Sequence, residues 1–308
     1  MPPPAASRLS QILLSVALPA FLLVTGCRPS HSGRIVVGSK NFTEQVVLAE
    51  LMAQHLEDRL HVPVERRFYL AGSYIAHQAV LADRIDVYPE YTGTALTAIL
   101  KESPNWDPNA VFNEVREEYA TRFHLTVTPP FGFNNSFAMV MRGEDARRLG
   151  MSRLSQAKPY APQWIFGCGY EFLERPDGYV GFVRRYGLAF HDKPRVMDLG
   201  LLYRALKDRQ IDLAAGNGTD GLIAALKMVV LEDDLHYFPP YEAVPVVNDG
   251  AVGRFPGLIP ALNELANKIS DDDMRQMNYA VDGEHRDVVE VVREFRNRVI
   301  GPSGDLVK

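Results

Sequence analysis

Short apolar runs alternate with amphipathic stretches along most of the chain. Residues 35–37 form an apolar run that predicts a buried strand, which stops at Gly38. The apolar positions from 47 to 56 then recur at helical spacing, with Asn41 or Thr43 as the expected N-cap. Strands are predicted at 62–69 and 85–88 around a helix at 73–82, and the alternation continues to about residue 235. This order predicts an α/β fold with mainly parallel sheets.

The last part of the chain has only helical patterns. From Pro256 onward they predict three helices. The first covers 258–269, the second begins after a cap at Ser270, and the third covers 286–299.

A faint internal repeat relates residues 79–94 to residues 205–220. Each copy has an amphipathic helix, an Ile-Asp-apolar strand, a polar loop that contains glycine, and the start of another helix. The alignment pairs Tyr91 with Asn217. Ligands of open α/β sheets bind at the carboxyl ends of strands, so two such edges facing each other would form a cleft. Polar loops at helix starts suit anionic groups.

Composition narrows the class of protein. The chain has 308 residues, of which 46% are hydrophobic and 23% charged, and this indicates two globular domains. These values exclude disorder for the bulk of the chain and a polytopic membrane protein. The formal net charge of −5 argues against binding to nucleic acid, which usually requires a basic excess.

The N-terminus has the features of an export signal. Residues 1–11 carry one charge, and the apolar run at 12–24 is too short to span a bilayer, so residues 1–26 read as a signal peptide. The segment that ends in Gly26-Cys27 resembles the bacterial lipobox, which predicts lipidation of Cys27. The alternative is ordinary cleavage beside an incidental cysteine. Residues 27–33 would form a short tether. Cys168 is left without a partner and is expected to be a buried thiol.

These features predict an exported protein. The lipid anchor would hold it on the periplasmic or cell-surface side of a bacterial membrane.

Several short motifs occur in a consistent order over nearly the whole chain that follows the signal. They are Gly38-Ser39-Lys40-Asn41-Phe42-Thr43-Glu44-Gln45, Tyr88-Pro89-Glu90-Tyr91-Thr92-Gly93-Thr94, Asn217-Gly218-Thr219-Asp220-Gly221, Leu231-Glu232-Asp233-Asp234, Phe238-Pro239-Pro240-Tyr241 and Asn278-Tyr279-Ala280-Val281-Asp282-Gly283. In this combination the chain resembles the substrate-binding proteins of ABC importers for glycine betaine, choline and related osmoprotectants.

The resemblance implies a fold and partners. The fold is the type II periplasmic-binding clamshell, in which two α/β lobes close on a ligand in the cleft between them. Lobe 1 would comprise residues 34–129 and 240–308, and lobe 2 residues 130–239, with crossovers near the proline pairs at 129–130 and 239–240. The expected partners are an ABC permease and its ATPase, and the chain itself is expected to be a monomer.

The same resemblance implies an aromatic cage. A quaternary ammonium has no N–H to donate, but aromatic faces attract it through cation–π interactions. Tyr91 and Tyr241 match two cage aromatics, and Phe137 falls where a tyrosine is common. Lys40 falls where some members have a glutamine that contacts the ligand carboxylate. Lys40 and Thr94 are therefore the expected anion contacts.

The sequence departs from the family pattern at Asn217, where some betaine binders have a tyrosine. Another ring could replace it, and the candidates are Phe42, Phe131 and Tyr170. With Lys40 and Asp220, Asn217 would also suit a ligand with a second polar group. Glycine betaine and choline, carnitine, the betaine of a larger amino acid and a free amino acid therefore all stay open as ligands.

Three of the predicted residues have an ordinary structural alternative. Lys40 could be a solvated loop lysine, Phe137 a core residue, and Asp220 the cap of a helix that starts near Gly221. Tyr69, Tyr74, Tyr119, Tyr186 and Tyr203 are expected to lie outside the site.

No motif indicates catalysis. The chain lacks GxSxG, GxxxxGK[ST], HExxH and CxxC, and its eight histidines are scattered. The acidic runs at 232–234 and 271–273 are typical of solvation and helix capping rather than of a metal site. The prediction is therefore a binding protein without enzymatic activity, metal or cofactor, and the alternative is a ligand sensor that is not coupled to transport.

Overall fold

The computed structural model describes residues 33–301, and two five-stranded sheets organise them. The strands are β1 (Ile35–Gly38), β2 (Val64–Arg67), β3 (Val87–Tyr91), β4 (Leu125–Val127), β5 (Phe137–Arg142), β6 (Phe166–Cys168), β7 (Arg195–Val196), β8 (Leu213–Asn217), β9 (Met228–Leu231) and β10 (Ala243–Asn248). The first sheet has the order β2-β1-β3-β10-β4 and the second the order β7-β6-β8-β5-β9.

Helices connect and cover these sheets. They are α1 (Thr43–Leu60), α2 (Ser73–Leu81), α3 (Thr92–Thr94), α4 (Pro108–Glu118), α5 (Gly143–Leu149), α6 (Tyr170–Glu174), α7 (Tyr179–Tyr186), α8 (Leu199–Lys207), α9 (Leu222–Ala225), α10 (Asp249–Arg254), α11 (Leu258–Asn263), α12 (Asp271–Asp282) and α13 (Val288–Val299). Short π-helical turns at Ala95–Leu100 and Tyr119–Phe123 and 3₁₀ turns at Leu154–Ala157 and Ala161–Gln163 complete the list.

The sheets are mixed rather than mainly parallel, which corrects the expectation from the sequence. Strands β1, β2 and β3 are parallel, as are β6, β7 and β8. Strand β10 pairs antiparallel with β3 and β4, and β5 pairs antiparallel with β8 and β9. β5 is the first strand after the chain passes from the first sheet to the second, and β10 is the first after it returns. Each runs antiparallel to the strands beside it. The predicted two-lobe α/β architecture is confirmed.

Several predicted element boundaries were wrong in detail. Helix α1 begins at Thr43, but Phe42 occupies its N-cap position without a side-chain cap. The Thr43 hydroxyl instead donates to Asp282, at 2.6 Å. Strand β2 has only four residues, and β10, which the sequence reading missed, lies inside the first sheet. The capping of α12 by Ser270 is confirmed, and Asp287 caps α13.

The C-terminal helices pack with the first sheet. Helix α1 contacts α11, α12 and α13, and β10 lies between β3 and β4. The predicted lobe boundaries at 129/130 and 239/240 lie between strands of different sheets, but the exact boundaries stay a prediction.

The predicted signal peptide and Cys27 lie outside the described residues. Within residues 33–301, no helix is long and apolar enough to cross a membrane. Cys168, on β6, is a free thiol whose side chain is buried, as expected, and burial raises its pKa to about 11.

Candidate functional site

A cavity of about 610 Å³ lies between the two lobes. Both sheets contribute to its wall at the carboxyl ends of β3 and β8, where α/β proteins bind ligands. Six of the seven predicted ligand residues line it, namely Lys40, Tyr91, Thr94, Phe137, Asn217 and Tyr241. The tertiary structure thus brings together residues that are up to about 200 positions apart in the chain.

Hydrogen bonds join the lobes around this cavity. The Ser73 amide, at the start of α2, donates to the carboxylate of Glu171 from the second lobe. The Thr97 hydroxyl of the first lobe donates to Asp177 of the second, at 2.8 Å. These contacts close the cleft.

Lys40 follows β1 and is a buried cation with only 2% of its surface exposed, so the solvated alternative was wrong. Its Nζ lies 2.5 Å from Glu90 Oε1 and 3.0 Å from Ser73 Oγ. The same nitrogen lies 4.7 Å from the centroid of the Tyr91 ring. Lys40 therefore contributes a buried positive charge beside an aromatic face.

Tyr91 ends β3, and its ring faces the cavity. The neighbouring Phe42 ring is nearly parallel to it, at a centroid distance of 6.3 Å and an angle of 16°. Phe42 and Tyr170 line the cavity, whereas Phe131 lies fully buried in the core. Phe42, Phe131 and Tyr170 were suggested as the ring that replaces a tyrosine at position 217. Of these, Phe42 is the one whose ring stacks beside Tyr91.

A second aromatic group forms the opposite part of the lining. Phe137 contacts Tyr241 edge-to-face at a centroid distance of 5.5 Å and Phe172 at 4.8 Å. Phe137 is half-buried and faces the cavity, so it is more than a core residue. The sequence reading missed Phe172, because a phenylalanine in a short helix has no motif that separates it from core residues.

Arg175 is the most important residue that the sequence reading missed. It is buried in the cavity wall and donates to Thr94 Oγ1, at 2.8 Å. Its guanidinium carbon lies 5.1 Å from the Phe137 centroid and 5.5 Å from that of Tyr241. In the sequence, Arg175 and Asp177 look like an ordinary surface pair, so only the fold reveals this site.

Asp177 neutralises Arg175 through bonds of 2.8 and 2.5 Å. Burial opposes the ionisation of Asp177, but the adjacent guanidinium outweighs it and lowers the pKa of the carboxyl. Asp177 also accepts a short hydrogen bond from the Tyr241 hydroxyl. Asp177 thereby fixes both the Arg175 guanidinium and the Tyr241 side chain.

Asp220 does not line the cavity. Its carboxylate accepts hydrogen bonds from the Tyr203 hydroxyl and, at 3.2 Å, from the backbone N–H of Asn217. Helix α9 has no side-chain cap, so the suggested capping role is wrong as well. Burial raises the pKa of Asp220 to about 7. Asp220 therefore holds the loop that carries Asn217.

Most tyrosines that were expected outside the site do lie elsewhere. Tyr69, Tyr119, Tyr186 and Tyr203 are absent from the cavity lining, but Tyr74 contributes to it and is 65% exposed. Across residues 33–301, no cluster of His, Cys, Asp and Glu is arranged to hold a metal ion.

Comparisons with known proteins agree with this geometry. Residues 33–298 match the OpuAC family, described as the substrate binding domain of the ABC-type glycine betaine transport system. The carnitine transport binding protein OpuCC of Listeria monocytogenes is 31% identical over 288 residues, which are 93% of this chain and 91% of that protein. The ergothioneine transport permease/ergothioneine binding protein EgtU of Helicobacter pylori is 29% identical over 86% of this chain and 47% of that protein.

A solved structure gives the same result. The crystal structure of a glycine betaine/carnitine/choline ABC transporter protein superposes with a TM-score of 0.72 at 30% identity, over 86% of this chain and 98% of the other. The chain therefore belongs to the family of substrate-binding domains of ABC-type glycine betaine transport systems and is a transport binding protein rather than an enzyme.

Proposed function

We propose that this chain is the extracytoplasmic receptor of an ABC importer and captures a quaternary-ammonium osmoprotectant in the interlobe cavity. Glycine betaine and carnitine, which also carry a carboxylate, fit the site best, and choline is the simplest related cation. The observation that carries the proposal is that one cavity between the lobes combines aromatic faces from both lobes with two buried cations, Lys40 and Arg175, each paired with a carboxylate.

The aromatic faces suit the ammonium end of such a ligand. Each face attracts a cation by about 0.5–2 kcal/mol, and more strongly where water is excluded. Tyr91 and Phe42 come from the first lobe and Phe137 from the second, while Tyr241 lies beside the crossover. A ligand that touches all of them favours the closed state over the open one.

The two cations suit the carboxylate end. Charge-assisted hydrogen bonds to a carboxylate are stronger than neutral ones. Arg175 is already oriented by Asp177 and Thr94, and Lys40 by Glu90 and Ser73. Because these partners fix both side chains before the ligand arrives, little conformational entropy is lost on binding.

A larger betaine is the second candidate ligand. Asn217 contributes an amide instead of a ring, and a cavity of about 610 Å³ is larger than a molecule as small as glycine betaine fills. The Helicobacter pylori relative is named for ergothioneine, a betaine with a heteroaromatic side chain. Free amino acids and a sensor that is not coupled to transport remain the alternatives to be tested.

Isothermal titration of the purified full-length chain tests the ligand class. We expect glycine betaine or carnitine to bind with a Kd near 1 μM, about −8 kcal/mol. Arg175→Gln should weaken both by about tenfold through the loss of a charge-assisted bond. Choline, which has no carboxylate, is the comparison ligand, and its affinity should fall less than that of the two betaines.

Two results would contradict this proposal. If only amino acids bind, the scaffold is right and the ligand class is wrong. If the ligand binds but is not taken up through an ABC permease, the sensor hypothesis is favoured.

We also propose that acylated Cys27 anchors the protein on the periplasmic or cell-surface side of a bacterial membrane. Cells fed an alkyne-bearing fatty acid should label the wild-type chain, whereas Cys27→Ser should abolish the label and release the protein. A labelled Cys27→Ser chain would contradict the anchor.

A further inference from the structure

Glu44 lies in the first turn of α1, directly behind Tyr91, and is buried with 2% of its surface exposed. Its Oε1 accepts the Tyr91 hydroxyl and Asn135 Nδ2, both at 2.7 Å. Its Oε2 accepts the Thr219 hydroxyl and, at 2.9 Å, Asn278 Nδ2. All four donors are neutral groups.

Each acceptor position of the two Glu44 oxygens faces a group that can donate, which suits a carboxylate. A proton on Glu44 would require the Tyr91 or Thr219 hydroxyl to accept instead of donate, because the two asparagine nitrogens can only donate. Asn278 Nδ2 also donates to the Thr219 carbonyl, at 3.0 Å, so turning that amide around would lose a second bond. Burial raises the pKa of Glu44, and the four hydrogen bonds oppose that shift.

No cation neutralises this charge. Across residues 33–301 no ion pair involves Glu44, whereas the carboxylate behind the other cage tyrosine, Asp177, is paired with Arg175. The hydroxyls of Tyr91 and Tyr241 therefore meet different electrostatic surroundings. Of the two hydroxyls, only that of Tyr91 donates to a carboxylate without an ion-pair partner among residues 33–301, and the Lys40 ammonium, paired with Glu90, lies 4.7 Å from the centroid of the same ring.

We propose that Glu44 is a positioning residue for quaternary-ammonium recognition, which polarises the Tyr91 ring through its hydroxyl and strengthens the attraction of that ring for a cation. A phenol that donates to a carboxylate gains electron density, and the effect is large in a medium of low dielectric constant. The inference rests on the proposed function, because it assigns a residue to the same ligand site.

The same carboxylate links this effect to closure of the lobes. Thr219 belongs to the loop after β8 in the second lobe, whereas Glu44 and Tyr91 belong to the first. The four-donor arrangement is complete only when the lobes are together. Tyr91 is therefore held most firmly in the closed state, in which the ligand would be enclosed.

The test compares a cation with its neutral isostere. Glycine betaine is titrated into the full-length chain, and 3,3-dimethylbutanoate, in which carbon replaces the nitrogen, is measured by displacement. Glu44→Gln keeps the size of the side chain and removes its charge. We expect the Kd of glycine betaine to rise about tenfold and that of 3,3-dimethylbutanoate to stay within about twofold, since only the cation senses the potential of the ring.

Two further variants keep the test decisive. Glu50→Gln removes another buried carboxylate from α1, one that pairs with Arg66 away from the cavity, and should leave the ratio of the two Kd values unchanged. Tyr91→Phe keeps the ring and removes the hydroxyl, and it should shift the ratio in the same direction as Glu44→Gln. If Glu44→Gln does not fold, Tyr91→Phe alone tests the proposal.

Each result has a defined meaning. Equal weakening of both ligands by Glu44→Gln would show a purely structural role and overturn the proposal, as would an unchanged ratio in Tyr91→Phe. If the wild type binds neither glycine betaine nor carnitine, the proposed function fails and this inference fails with it. If the wild type binds but the ratio is insensitive to Glu44, only the inference fails.

Discussion

The two lobes are built on the same frame. Their sheets have equivalent strand orders, β2-β1-β3-β10-β4 and β7-β6-β8-β5-β9. A Cβ atom added to Gly38 on β1 would collide with Ile85, and one added to Gly167 on β6 would collide with Ile211. The faint repeat in the sequence therefore reflects a real structural repeat.

The aspartates of the two Ile-Asp pairs have the same role. Asp86 accepts the Val36 amide at 2.7 Å, and Asp212 accepts the Ile165 amide at 3.0 Å. Each carboxylate also pairs with an arginine from another element. Asp86 thus fixes the start of β3 to β1, and Asp212 fixes the start of β8 to β6.

The lobes differ at the other end of that strand. β3 ends at Tyr91, which presents a ring to the cavity, and β8 ends at Asn217, which presents an amide. The frame determines where the side chain lies, and the residue type determines what it recognises. One architecture therefore supplies two different halves of a binding site.

The largest expected effect concerns the frame. The carboxylate of Asp86 is fully buried and pairs with Arg254, whereas that of Asp212 is 27% exposed. Asp212→Asn leaves the buried Arg142 with its second partner Asp145, whereas Asp86→Asn breaks the charge-assisted bonds of a fully buried carboxylate, so Asp86→Asn should cost about 3 kcal/mol and Asp212→Asn about 1 kcal/mol. Urea denaturation measures both. Asp272→Asn, at an exposed site, is the control, and equal costs at 86 and 212 would contradict the comparison.

The next effect concerns the paired strand ends. Tyr91→Ala removes a cation–π face and should raise the Kd of glycine betaine about 30-fold, whereas Asn217→Ala should change it by less than about threefold. Titration calorimetry measures the two constants. Tyr69→Ala removes a tyrosine that is 64% exposed and outside the cavity, and should have no effect. A larger loss at 217 would reverse the assigned roles.

An aromatic residue at position 217 would give the end of β8 a ring like the one that Tyr91 supplies at the end of β3. Asn217→Tyr should tighten glycine betaine by about fivefold, because the ring adds a cation–π contact worth about 1 kcal/mol. It should also weaken ergothioneine, because the ring takes up space that a larger side chain needs. Competition between the two ligands measures the change, and Asn217→Leu controls for bulk. Tighter binding of both ligands would contradict the spatial argument.

A pH effect concerns the loop that carries Asn217. Burial raises the pKa of Asp220 to about 7, above its ordinary value of 3.8, so the folded state retains the proton more strongly than the unfolded state. Its contribution to stability is therefore present below about pH 4 and is lost as the pH rises through 7. We expect the free energy of unfolding to fall steadily between about pH 4 and pH 7, as measured by denaturation at several pH values. Asp220→Asn should remove this loss, and an unchanged pH profile would contradict it.

The local pattern was sufficient for much of the fold, and the resemblance of the motifs to a known family supplied six residues that line the cavity. Strand β1 and the Ser270 cap follow from neighbouring residues alone, and the motifs around Lys40, Tyr91 and Tyr241 placed three side chains that line the cavity. Such signals survive because strand ends and helix caps depend on interactions within a few positions of the chain.

Other features depended on contacts between distant segments. Strand β10 could not be foreseen, because a strand that enters a sheet after a crossover pairs with residues far away in the sequence. Arg175 and Phe172 carry no motif and acquire a role only beside Thr94 and Phe137.

Glu44 shows the division most clearly. Its motif was visible in the sequence, but its charge matters because residues 91, 135, 219 and 278 converge on one carboxylate. The amino-acid pattern determined the repeated α/β frame, the family and the ends of the strands at which ligand residues lie. Tertiary packing decided which charges are buried, which are neutralised and which aromatic ring faces an unpaired carboxylate, since burial and dielectric environment arise only when distant segments meet.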